Sequence, residues 1–148
     1  MTYISISSPE GYKQHYEDNY VGRHFTLEGM KVTFKEDTFN HAFYEKDKDQ
    51  KRVVFSKRRA CRMDEIGEVL SGNLTYVLHR DSRYRKTVIV YISRSDLAIV
   101  LKLNKKDAVF TSLFPIRKNE YKKRVTRGDW IIDESCLSAQ QLSESQNS

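Results

Sequence analysis

His41 lies in the run Phe39-Asn40-His41-Ala42-Phe43, an imidazole between apolar anchors. Imidazole titrates near neutrality and so can give or take a proton at cellular pH. A lone histidine among aromatics also reads as a hydrogen-bonded structural residue, and this run alone leaves both readings open. Lys57, Arg58, Arg59 and Arg62 follow in one short segment. If that segment opens a helix, its cations oppose the helix dipole, which favours acids at that end. Free backbone N–H groups together with guanidinium groups make an arrangement suited to phosphate. The plainer alternative is a solvated basic helix end, and the four side chains cannot all face one ligand. Further along stand Tyr76, Tyr84, Arg85, Tyr91, Lys102, Thr111 and Ser112. Aromatic rings can stack bases while Arg and Lys follow a phosphate backbone. Tyr91 lies inside an apolar run and reads equally as core. His79 is the second acid–base candidate; His15 and His24 are isolated in sequence.

Several kinds of chemistry lack their signature. There is no Walker loop, no GxSxG, no GxGxxG and no HExxH. No two histidines have the spacing of metal ligands, and no acidic cluster stands in the basic region that a two-metal nuclease would require. The expectation is chemistry that uses neither a metal nor another cofactor.

The elements that must hold these residues read as follows. Residues 9–19 can start a helix with Pro9 in the first turn, or form an arm. Val32-Thr33-Phe34 is a short extended piece after Gly29. Residues 56–70 give the clearest helix: Ser56 can cap it, Met63, Ile66 and Leu70 share a face, and Gly72 suits a left-handed C-terminal position. Four strand candidates come next, at 75–80, 84–94, 97–103 and 108–114. Their short polar connectors require antiparallel neighbours. Val88-Ile89-Val90-Tyr91-Ile92 is apolar throughout and should be a central strand. Residues 117–127 are a second basic stretch, and 138–148 form a Ser/Gln-rich tail expected to be disordered. The predicted architecture is α+β, with an N-terminal helical part packed on a curved four-stranded antiparallel meander. Residues 1–137 read as one domain, with 1–30 as an N-terminal extension.

Charge is distributed unevenly along the 148 residues. Residues 1–50 have a net charge of −3, residues 51–127 of +13 and residues 128–148 of −4. A block this positive attracts polyanions and speeds their encounter, whereas a surface kept only for solubility would not need such segregation. RNA is the expected partner. Other nucleic acid or an acidic host protein remain alternatives. Cys61 and Cys136 are too few for a disulfide framework. With no apolar segment suited to secretion or membrane spanning, the expected location is cytoplasmic and no membrane partner is expected.

The order of features resembles the phage-associated branch of the barnase–EndoU–colicin–RelE-like ribonuclease superfamily. The residues that carry the resemblance are His41 in its aromatic run, Phe55-Ser56-Lys57-Arg58-Arg59-Ala60-Cys61-Arg62-Met63-Asp64-Glu65-Ile66, and the closing strand Val109-Phe110-Thr111-Ser112-Leu113-Phe114-Pro115. The match covers about residues 39–115. The resemblance implies a metal-independent RNA endonuclease of toxin or effector type, which can have an antitoxin or immunity partner. Such an enzyme cleaves by 2′-hydroxyl attack and leaves a 2′,3′-cyclic phosphate. By the same resemblance His41, Arg59 and Thr111 are catalytic. Tyr91 is added from its place in the sheet, and Lys57, Arg58, Arg62, Arg85 and Lys102 are expected to hold phosphate or RNA. No second catalytic histidine stands at a matching place; His79 or Tyr91 is left for that role.

Overall fold

The computed structural model describes residues 3–49 and 51–132. The predicted tail at 138–148, and Cys136 with it, lie outside the described residues. The fold is α+β, built on one mixed seven-stranded sheet and a separate two-stranded ribbon.

The chain opens with helix α1 (Pro9–Asn19), capped by Ser8, whose hydroxyl accepts from the Gly11 N–H at 3.1 Å. Tyr12, Tyr16 and Tyr20 recur every four residues, so they fall on one helical face, and all three are buried. These three tyrosines fill the main core against Phe34, Phe39, Phe43 and Phe110. Strands β1 (Phe25–Leu27) and β2 (Met30–Thr33) form a tight hairpin. Its two turn residues, Glu28 and Gly29, both have positive φ (50° and 79°), as the twist of a two-residue hairpin turn requires. A short helical turn at Glu36–Thr38 leads into α2 (Phe39–Ala42). Strands β3 (Tyr44–Lys46) and β4 (Val53–Phe55) make the separate ribbon.

The predicted helix at 56–70 is two pieces, α3 (Lys57–Ala60) and α4 (Asp64–Leu70). Ser56 caps the first, and Gly72 follows the second with φ +82°. Between them the amides of Arg62 and Met63 bond three residues back, to Arg59 and Ala60. That tighter turn swings Arg62 inward, where its Nε lies 2.5 Å from Oε2 of the fully buried Glu65.

Strands β5 (Val77–Asp81), β6 (Thr87–Ile92), β7 (Leu97–Asn104) and β8 (Asp107–Pro115) pair antiparallel in chain order. They do not make up the whole sheet, which runs β1-β2-β8-β7-β6-β5 and ends on a last strand, β9 (Trp130–Ile132). The hairpin β1–β2 docks on β8 through a short parallel pairing, Val32 with Ala108 and Thr33 with Val109. At the other edge β9 pairs with β5. The expectation of a four-stranded sheet thus missed both flanks. Helix α5 (Lys118–Thr126) accounts for the basic stretch after Pro115.

The sheet is covered on both faces. Val88, Val90 and Ile92 join the main core under the N-terminal helices. Ile89 and Tyr91 join a second cluster with Ala98, Ile116 and Trp130, against which Tyr121 and Val125 of α5 pack. Burial on both faces is why β6 reads as a continuous apolar run without alternation. Among the described residues, no helix is long and apolar enough to cross a membrane.

Candidate functional site

Strand β2 stops at Thr33, and the chain then turns away from β8. Two contacts hold it as it leaves: Phe34 is buried, and the Tyr16 hydroxyl donates to the Lys35 carbonyl at 2.7 Å. The short turn and α2 follow. Phe39 and Ala42 point into the core, which leaves His41 exposed on the other side of this single helical turn. A cleft of about 540 Å³ opens here. Lys35, Asp37, Thr38 and His41 form one wall, and Lys86, Lys102, Leu103, Asn104, Val109, Phe110 and Thr111 the other.

The second wall owes its shape to an irregularity in the sheet. Val100 faces Ser112 while the next residue, Leu101, faces Phe110, so Thr111 is an extra residue without a partner on β7. Such a bulge re-aims a side chain at a strand edge. The Thr111 hydroxyl makes a long contact with the Val109 carbonyl, 3.4 Å, and stands beside the cleft. Lys102 lies opposite Val109. Lys35, Lys86 and Lys102 are all exposed and, among the described residues, none is ion-paired. The cleft therefore presents three ammonium groups and an imidazole against one carboxylate, Asp37. A local excess of positive charge in a concavity attracts an anion.

Three expected residues, His41, Thr111 and Lys102, meet in this cleft; the others are elsewhere. Arg59 sits behind it. One guanidinium nitrogen contacts the Ala42 carbonyl at 3.4 Å and another lies 3.5 Å from Glu45. It thus braces the end of the helical turn that carries His41. Arg58 forms a fork on Glu45, with Nε at 3.0 Å and NH2 at 2.7 Å from its two oxygens. Ser56 also donates to Glu45. The anion expected at the start of this helix is therefore the chain's own Glu45. The Arg58 guanidinium, the Ser56 hydroxyl and Arg59 beside it hold its carboxyl down at about 2. Lys57 remains exposed on α3.

Two further expectations are corrected. Arg62 is not a phosphate ligand in this arrangement: it is 6% exposed, and its guanidinium is engaged by Glu65 and by the Ser95 carbonyl. Tyr91 does not line the cleft. It is 2% exposed and stacks face to face on Tyr121, with ring centroids 3.6 Å apart and planes 7° apart. Arg85 projects from the turn between β5 and β6, one residue before Lys86. Arg58 and Arg62 instead border a second groove with Lys48, Arg117, Asp96 and Glu120, where acids and bases are mixed.

Two of the other histidines, His15 and His79, have structural surroundings, whereas His24 is exposed. His15 Nε2 is 2.8 Å from Asp64 Oδ1, which also accepts from the Tyr20 hydroxyl at 2.9 Å. Asn19 lies 3.3 Å from the other ring nitrogen, so both nitrogens are engaged where α1 meets α4. His79 is fully buried, hydrogen-bonded to the Tyr121 hydroxyl at 2.8 Å, and burial pushes its pKa down to about 4.

Lys35, Asp37 and Lys86 were missed by sequence reasoning. Lys86 closes the run Arg83-Tyr84-Arg85-Lys86, a signal that was present. Lys35 and Asp37 belong to the acidic first third of the chain, net −3 over residues 1–50, where no run of cations marks a basic cleft. No group of three or more His, Cys, Asp or Glu side chains suited to a metal occurs among the described residues. Comparison with protein families, with characterised proteins and with solved structures finds no match to this chain.

Proposed function

We propose that the chain is a metal-independent RNA endonuclease acting in the cleft between α2 and β8, of the kind implied by the likeness to the phage-associated barnase–EndoU–colicin–RelE-like branch. The observation that carries this reading is the convergence of His41, Thr111 and Lys102 with Lys35 and Lys86 around one concavity. A phosphodiester bound there meets ammonium groups that stabilise the charge growing on its non-bridging oxygens. The Thr111 hydroxyl supplies a further donor. The 2′-oxygen attacks phosphorus, the bond to the 5′-oxygen breaks, and a 2′,3′-cyclic phosphate and a free 5′-hydroxyl result. Asp37 takes the 2′ proton and His41 delivers one to the departing 5′-oxygen, as two groups of opposite proton affinity can. Arg59 is a positioning residue for His41 in this scheme. Action in the cytoplasm as a toxin or effector, with an antitoxin, immunity or host protein as partner, is part of the same proposal.

The test uses the full chain with structured and unstructured RNA, with and without a chelator. Cleavage should persist with the chelator and give 2′,3′-cyclic ends. A 2′-deoxy residue at the cut site should block it. His41→Ala should lower the rate by about 10²–10⁴-fold. Dependence on metal, or unchanged cleavage by His41→Ala, refutes the scheme.

One observation favours a second reading, a module that binds RNA without cutting it: a single imidazole lines the cleft among the described residues. In that case binding occurs without product. Neutralisation of single-strand phosphates by the three lysines then gives a log–log salt slope of about −2.

A further inference from the structure

The turn that follows β5 keeps an aromatic ring outside. Tyr84 is 63% exposed, yet the backbone beneath it is firmly held. Asp81 Oδ1 accepts from the N–H groups of Arg83 and Tyr84, at 2.8 and 3.2 Å. The Ser82 N–H donates to the Asp129 carbonyl at 2.9 Å, the Thr87 N–H to the Tyr84 carbonyl at 2.9 Å, and the Leu103 N–H to the Lys86 carbonyl at 2.6 Å. A ring left in water on an ordered turn loses little further freedom when a flat ligand covers it.

The charges around the ring are sorted. Asp81, the sole acid of the turn, is 9% exposed and spent on the backbone. Arg83, Arg85 and Lys86 are all exposed. The Arg83 guanidinium lies over one face of the Tyr84 ring, 5.7 Å from its centre, so a stacked base would take the opposite face. Lys86, two residues beyond Tyr84, is also part of the cleft wall. An aromatic face framed by cations and continuous with a basic cleft matches one ligand chemistry: a planar base whose neighbouring phosphates are negative.

We infer that Tyr84 is a stacking platform for an unpaired base of the same strand whose phosphate enters the cleft, and that the protein therefore selects single-stranded over duplex RNA. This rests on the proposed action on RNA and deepens it. A base inside a duplex is already stacked on both faces and has none to offer the ring. The turn acts through base faces and not their edges, so it tolerates many sequences.

The experiment uses the full chain in a His41→Ala background, which keeps the RNA intact. The probe is a short RNA carrying 2-aminopurine, presented single-stranded and as a duplex. The parent protein should quench the fluorophore and bind the single strand at least about tenfold more tightly than the duplex. Tyr84→Ala should lose most of the quenching and about tenfold in single-strand affinity. Its duplex affinity, its salt slope and its circular dichroism should not change. Tyr84→Trp should restore both lost properties. Lys86→Ala should do the opposite, lowering the salt slope while quenching persists at saturation. If the parent binds RNA and Tyr84→Ala binds and quenches equally, the stacking inference alone falls. A parent that prefers the duplex overturns it too. If the parent binds no RNA, the proposed function fails first and this inference falls with it; capture of an acidic protein through Tyr84 would then be the finding.

Discussion

Glu45→Gln separates what the chain's own carboxylate does for the fold from what it withholds from a ligand. The change keeps size and shape but removes the charge held by Arg58, Ser56 and Arg59. The folded carboxyl lies at about 2 against an ordinary 4.5. At about 1.4 kcal/mol per tenfold, this gap would amount to about 3 kcal/mol if it passed entirely into folding. It does not, because the Arg58 side chain is 63% exposed and water and salt screen the pair. About 1–2 kcal/mol is expected. The sign follows from a folded pKa below the unfolded one. The contribution is fully present above pH 4.5 and is lost as pH falls toward 2. Urea unfolding of both proteins at several pH values measures it: wild type should exceed Glu45→Gln by about 1–2 kcal/mol at pH 7, with the difference shrinking toward zero at acid pH. At pH 7 the variant, with Arg58 released, should also bind RNA more tightly and with a steeper salt dependence. A difference below about 0.5 kcal/mol at pH 7, or one that does not change with pH, refutes the reasoning.

Two further predictions concern the interior. Glu65→Gln leaves the Arg62 guanidinium without its buried counter-charge and should cost about 3–5 kcal/mol, read as a fall in the urea midpoint; pairing Glu65→Leu with Arg62→Met should recover most of that loss. His79 stays neutral in the folded chain down to about pH 4, whereas the unfolded chain takes up its proton near 6.5. Wild type should therefore lose up to about 3 kcal/mol between those pH values, and His79→Phe should flatten the profile there.

Local signals were readable where one stretch of chain decides its own shape. Ser56 and Gly72 mark helix ends by side-chain capping and by positive φ, both properties of single residues. The four central strands were visible because apolar runs are broken by connectors too short for a crossover. What stayed hidden was non-local. The pairing of Val32 with Ala108 leaves no mark near either residue. Glu45 meets Arg58 only after the β3–β4 ribbon folds back. The helix over 9–19 was readable from Pro9 in its first turn, and the spacing of four in Tyr12, Tyr16 and Tyr20 decides for it against an arm, because these rings fill the core. In the cleft, His41 and Lys102 were candidates by residue type, whereas Thr111 was set apart from Ser112 only by the family resemblance. The acidic first third concealed Lys35 and Asp37, and Arg62 was misplaced because a tight turn reversed the side it faces.

The seam between β2 and β8 rests on two paired positions in each strand. Whatever lodges beside it touches an early part of the chain with one side and a late part with the other. An occupant of that gap is thus a temporary staple across a pairing of large sequence separation, a kind of contact that forms slowly. Its grip should raise the melting temperature in proportion to the logarithm of its concentration. On the ribosome, both sides of the gap cannot be gripped by an occupant until Thr111 has emerged from the exit tunnel.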